Sequence, residues 1–420
     1  MGVLIKKATI VSEGSSQHLR VKDILIQKGK IVKIDNLISA NGTKEIEAEG
    51  LHVSLGWIDL QANIQDPGFE HKEDITTASN AAAAGGFTKI VVSPLSEPVR
   101  DSKSQLEYLK NYSTHAVEIL PLGAISKGAK GKELAELYDL KEAGAIGFSD
   151  GKNPVKNPNV LNRALLYTQA FDGVVFNFPH TDEVAYQGVM NEGETSIHLG
   201  LKGIPELAES LMVARDLNIL EYTRGKLHFN CISASKSLEL ISKAKKEEMQ
   251  VTCDLASYNL LLDETELSEF DTRFKTIPPL RSKGTIKTLI KGIKNGTIDA
   301  ICSDHTPEDV DEKMKEFDHS AFGIINLQTS FSVANSALKN AMPISEIIPL
   351  FTSGPAKVLG LNLSEIEEGE KAELTLFQPE EEFIYTKEMV LSKAKNSPFF
   401  NRKLSGKVVG IINGSKVVLN

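Results

Sequence analysis

Cysteine, tryptophan and aromatic residues in general are scarce in this 420-residue chain: three Cys, one Trp, and 6% Phe, Trp and Tyr together. The cysteines, Cys231, Cys253 and Cys302, form no CxxC pair and are odd in number, so they supply no disulfide framework. A reducing cytoplasmic setting is the simplest one for them. No run of about 18 apolar residues exists, so no membrane span is expected. The opening residues, MGVLIKKATIVSEG, lack the long apolar stretch of a signal peptide. Positive charge is not in excess either: 47 Lys and Arg against 56 Asp and Glu give a net charge of -9. That balance favours neither nucleic acid nor an anionic membrane as partner.

What is present is an ordinary globular composition, 41% hydrophobic and 25% charged. Both ends of the chain read as β. VLIKKATIV, KDILIQKGKIVKIDN and KEIEAEGLHVS alternate with period two, and turn residues separate them. KAELTLFQP and SGKVVGIINGSKVVLN repeat that character, with a turn at Asn413-Gly414. Between them, eight short apolar runs alternate with helical patterns such as ITTASNAAAAGG, SQLEYLKNY, KELAELYDLKEAG and SKSLELISKAKKEE. Eight strand–helix units predict an α/β fold, a (β/α)8 TIM barrel, at 53–365. Residues 1–52 and 366–420 would then pair as a small β-sandwich domain.

Several of the apolar runs finish in polar or ionisable residues: Asp150, His180, Cys231 with Ser233, and Asp304 with His305. In this fold the C-terminal strand ends form the active face. The first run is the odd one. In GWIDLQANIQDPG, Asp59, Gln61, Asn63 and Gln65 stand where a plain barrel strand would be apolar.

The order of motifs resembles the amidohydrolase superfamily, and within it the bacterial dihydroorotases. SLGWIDLQANIQDPG, AAAAGGFTKIVV, AGAIGFSDG, NEGETSIHLGLKGIPELAE, FKTIPPLRS, IDAICSDHTPE, GPAKVLGL and EEGEKAELTLF carry the likeness over nearly the whole chain. It implies a metal-dependent hydrolase barrel acting on cyclic amides, and a role in pyrimidine biosynthesis. Against the family pattern, however, Gln61 and Asn63 stand at two metal histidines and Gln65 at the arginine that holds the substrate carboxylate. Leu95 and Ile277 replace substrate-binding asparagines. Ser257-Tyr258-Asn259 replaces Pro-His-His, and Glu308 replaces a terminal histidine. The resemblance implies a metal role for Asp150, His180 and Cys231, and a general-base role for Asp304.

Neutral amide oxygens bind zinc poorly, so the first metal position reads as lost. The leading expectation is therefore a non-catalytic dihydroorotase-like protein without a cofactor. It would be structural or regulatory, homodimeric, and a partner of aspartate transcarbamoylase, as inactive chains of this kind are. The alternative is a cyclic amidohydrolase with one zinc on Asp150, His180 and Cys231, and Asp304 as base. A third is a sensor that holds a small polar ligand near Gln61, Asn63, Gln65 and Glu308. Each site residue also has a plain reading: Cys231 as a small core residue, Asp150 as a turn former, Asp304 and His305 as loop caps. His18, His52, His71, His115, His198, His228 and His319 have no motif support.

Overall fold

A computed structural model describes residues 2–109 and 115–420. Strands β1 (Gly2–Val11), β2 (Val21–Gln27), β3 (Lys30–Asp35), β4 (Thr43–Ile46) and β5 (His52–Leu55) come first. The β2–β3 hairpin closes through Lys28 and Gly29, both at positive φ, which is why the glycine is there. The barrel begins at once with β6 (Trp57–Ala62) and continues through β7 (Phe87–Val92), β8 (Glu118–Gly123), β9 (Gly147–Ser149) and β10 (Val175–Asn177). A small parallel pair, β11 (Met190–Asn191) and β12 (Gly203–Ile204), interrupts it. Strands β13 (Leu227–Phe229), β14 (Val251–Ala256) and β15 (Ala300–Cys302) complete the eight parallel barrel strands. The chain ends with β16 (Glu373–Ile384), β17 (Lys403–Asn413) and β18 (Lys416–Leu419).

The first and last barrel strands meet through Asp59. Its two carboxylate oxygens accept from the N–H and the hydroxyl of Ser303, each at 2.6 Å. A bridge between Ala62 and His305 continues the seam, with Asn63 N–H donating to His305 O at 2.8 Å. Asp59 therefore has a structural use inside the barrel. Burial pushes its pKa up to about 7.

The helical patterns become helices at Ile75–Ala84, Pro158–Thr168, Leu207–Thr223, Ser235–Lys246 and Lys283–Lys294. Asp74 caps the first by accepting from Thr77 N at 2.8 Å. Of SQLEYLKNY, the helix Lys103–Tyr108 is seen, and residues 110–112 lie outside the described residues. One pattern is only half realised: the helix in KELAELYDLKEAG spans Leu137–Ala143. Residues before it pair instead with the segment after β8, through Ala135 N–H to Ile125 O and Lys127 N–H to Glu133 O, both 2.9 Å. Among the described residues, no helix is long and apolar enough to cross a membrane.

The terminal strands join in one eight-stranded sheet, ordered β18-β17-β16-β5-β1-β2-β3 with β4 beside β1. The lone tryptophan bolts this sheet to the barrel. Trp57 is fully buried, and its ring lies 4.4 Å from Phe331, 5.3 Å from Phe377 on β16 and 5.6 Å from Phe351. Its indole N–H donates to Ser54 Oγ at 2.9 Å. Trp57→Ala is expected to cost about 3–5 kcal/mol of stability, read as a lower urea midpoint with an unchanged denaturant slope.

Candidate functional site

The C-terminal ends of the barrel strands converge on one buried chain of polar side chains. Gln61 is the penultimate residue of β6, and its Oε1 accepts from Asn230 Nδ2 at 3.0 Å. Its amide nitrogen reaches Asn63 Oδ1 at 3.4 Å. Asn63 in turn donates to Thr306 Oγ1 at 2.9 Å and stands 3.5 Å from Asp304 Oδ1. The amides of the first strand thus satisfy one another and their neighbours.

Asp304 is the hub. It follows β15 at φ 47 and is 1% exposed. Lys152 Nζ lies 2.7 Å from one of its carboxylate oxygens and 2.8 Å from the other. The Tyr258 hydroxyl donates to the same carboxylate. The ammonium also donates to Ile277 O at 2.8 Å and sits 4.6 Å from the centre of the Phe178 ring. Burial opposes the charge on Lys152, but the Asp304 carboxylate outweighs it and raises the pKa. Tyr258, buried beside that carboxylate, has its pKa raised well above the phenol range. Lys152 reaches this place through Gly151, at φ 64, where an added Cβ would stand 2.6 Å from Ser93 Oγ and 2.8 Å from Leu95. Leu95 is thus packing for the turn that aims the lysine.

The other expected ligands point to different partners. Asp150 accepts from Ser126 N–H at 2.9 Å and from the Ser126 hydroxyl, so it holds the segment after β8. Burial pushes its pKa up to about 6. His180 stacks on Phe178 at 5.9 Å, with Nε2 3.5 Å from Asp182, and burial lowers its pKa. Cys231 takes φ 54, donates its N–H to Asp254 Oδ1 at 2.6 Å, and places Sγ 3.7 Å from Cys302 Sγ. Asp150, His180 and Cys231 are not gathered around one point. Among the described residues, the set whose ligand atoms converge is Cys231, Asp254 and Cys302. Gln65 is half-buried, and Glu308 pairs with Lys72 at 2.8 Å.

A divalent ion between Gln61, Asn63 and Asp304 does not fit these donors. It would meet two neutral amides already engaged with neighbours, and a carboxylate already carrying an ammonium and a phenol. Lys152 is the residue that sequence reasoning missed. Its only signal was a lysine two places after Asp150 in FSDGKN. His228 and Asp254 were missed too: both are fully buried, and their side chains lie 3.2 Å apart.

Residues 51–237 match the family described as dihydro-orotase-like, and residues 187–418 match the amidohydrolase family. Among curated relatives, the dihydroorotase of Acetivibrio thermocellus is 39% identical over 99% of both chains. That of Thermoanaerobacter sp. is 37% identical over 97% of this chain and 95% of its own. Among solved structures, an L-hydantoinase (dihydropyrimidinase) from Arthrobacter aurescens superposes with a TM-score of 0.85 at 21% identity. It covers all of this chain and 96% of its own, and at that identity it speaks for the fold alone.

Two expectations follow. Lys152→Met strands a buried carboxylate and should cost about 3–5 kcal/mol; the Lys152→Met/Asp304→Asn double variant should recover much of that, as read by a double-mutant cycle in urea. The Asp150 carboxyl ionises at about 6 when folded against 3.8 as the ordinary value, so the wild type loses stability as pH rises from about 4 to about 6. Asp150→Asn lacks that loss. Its stability relative to wild type should therefore rise between pH 4 and pH 7, by on the order of 2 kcal/mol, in melts across that range.

Proposed function

The chain belongs to the dihydroorotase-like amidohydrolases, and from that premise we propose that it serves pyrimidine biosynthesis without opening the dihydroorotate ring. The observation that carries this reading is the Lys152–Asp304 pair. Ring opening needs a free base to move a proton and an electrophile to polarise the amide carbonyl. The resemblance gives the base role to Asp304, and Lys152 and Tyr258 occupy its oxygens. Substrate binding is equally compromised. A carboxylate ligand wants a cation in a fixed place, whereas Gln65, Leu95 and Ile277 offer none and Lys152 is spent on Asp304.

A well-packed scaffold with such a mouth suits a structural or regulatory subunit. In our reading it works in the cytosol as a homodimer, with aspartate transcarbamoylase as the protein it holds. The zinc-enzyme alternative is disfavoured, because Asp150 serves Ser126 and the three expected ligands do not converge. One observation favours a ligand held without chemistry: Asn230 Oδ1 and both side-chain polar atoms of Asn259 are buried without a partner. A small polar ligand near Asn230 and Gln61 would satisfy the first of these.

Zinc-supplemented protein is expected to show no dihydroorotate hydrolysis or carbamoyl-aspartate cyclisation above buffer. It should co-migrate with aspartate transcarbamoylase in gel filtration. Zinc-dependent, saturable turnover that Asp304→Asn abolishes would overturn the reading of the site, and separate elution would overturn the partner.

A further inference from the structure

Two residues back from Asp304 along the last strand, the barrel holds a second cluster that plays no part in the reading above. Cys231, two residues past β13, Asp254 on β14 and Cys302 on β15 each present one ligand atom, and these atoms lie within 4.8 Å of one another. All three residues are at most 1% exposed. The sulfur atoms are 3.7 Å apart. Two thiolates on one tetrahedral zinc ion, each at about 2.3 Å, stand about 3.8 Å apart.

The surroundings are built to hold that geometry. Cys231 takes a left-handed backbone at φ 54, a conformation that core packing does not ask of a cysteine. Its N–H, bonded to Asp254 Oδ1 at 2.6 Å, fixes it there. The other Asp254 oxygen lies 3.2 Å from His228 Nε2, and His228 Nδ1 lies 2.8 Å from Thr252 Oγ1. A buried line of Thr252, His228 and Asp254 thus orients the carboxylate from behind, as metal-ligating carboxylates are oriented by hydrogen bonds of their own. Burial pushes the Cys231 thiol up to about 11 and the Cys302 thiol well above its ordinary value, so a metal binding here has to displace two firmly held protons.

We propose that Cys231, Cys302 and Asp254 form a structural site for one thiophilic divalent cation of the zinc class. The soft sulfurs select the metal. Binding forms two metal–sulfur bonds and one metal–oxygen bond and releases the two thiol protons to solvent. Asp304 and Lys152 take no part as ligands. The metal would tie β13, β14 and β15 together within the barrel wall. The site shares Cys231 with the position discussed above, but draws its other ligands from Asp254 and Cys302, to which the resemblance assigned no role.

The test is made on the full chain, produced in cells supplied with zinc or with cobalt and purified without chelator. The expected result is about one metal per chain, a thiolate-to-cobalt charge-transfer band in the cobalt form, and two sulfur neighbours by X-ray absorption. Cys302→Ala should lose the metal and the band, while His180→Asn should keep both. Metal-free wild type, metal retained in Cys302→Ala, or fewer than two sulfur neighbours would overturn the proposal. Should Cys302→Ala not fold, the sulfur count on the wild type decides. The functional reading is separable: a metal-loaded chain that hydrolyses dihydroorotate would sink that reading and leave this site standing.

Discussion

The site is organised by one ion pair, the half-buried Lys152 with the buried Asp304. A carboxylate 1% exposed needs a compensating charge. Here the compensation is covalently part of the chain. An ammonium held by a carboxylate, a backbone carbonyl and an aromatic face fills the middle of the barrel's active end. Tyr258, Asn63 and Gln61 follow from it, because neutral hydrogen-bonding groups suit a centre whose charge is already balanced. Two histidines beside that ammonium would sit poorly; two amides do not.

The barrel and the site depend on each other at its seam. Asp59 stitches β6 to the segment after β15, and that segment carries Asp304, His305 and Thr306. The same strand begins with Trp57, which anchors the terminal sheet through Phe377. A single six-residue strand therefore joins the side domain, closes the barrel and contributes Gln61 to the polar chain. The scaffold can stay rigid while the side chains at its mouth change.

Family membership rests on the scaffold of this protein, and the proposed loss of chemistry rests on a few side chains. Identity of 37–39% to proteins called dihydroorotase extends over nearly the full length of the chain, barrel and terminal sheet alike. Packing constrains those positions. The reacting groups are a handful of side chains at strand ends, and their identity scarcely affects the fold. The deeper cluster of Cys231, Asp254 and Cys302 brings three potential ligand atoms within 4.8 Å of one another.

Period-two and helical patterning determined the architecture by itself: eight strand–helix units between β-rich ends, with the polar residues at strand termini. Those signals are local, since each strand or helix announces itself through neighbours a few positions away. The departures from the resembled pattern at Gln61 and Asn63 were legible in the same way, one position at a time. What each retained group does was not legible. Asp150 turned to Ser126, and half of KELAELYDLKEAG was drawn into the loop that Ser126 begins. Lys152 reached Asp304, 152 residues away, and Cys231 met Cys302 across an intervening strand. Only the closed barrel brings such groups to hydrogen-bond distance, and the balance of burial and charge at that distance decides their roles.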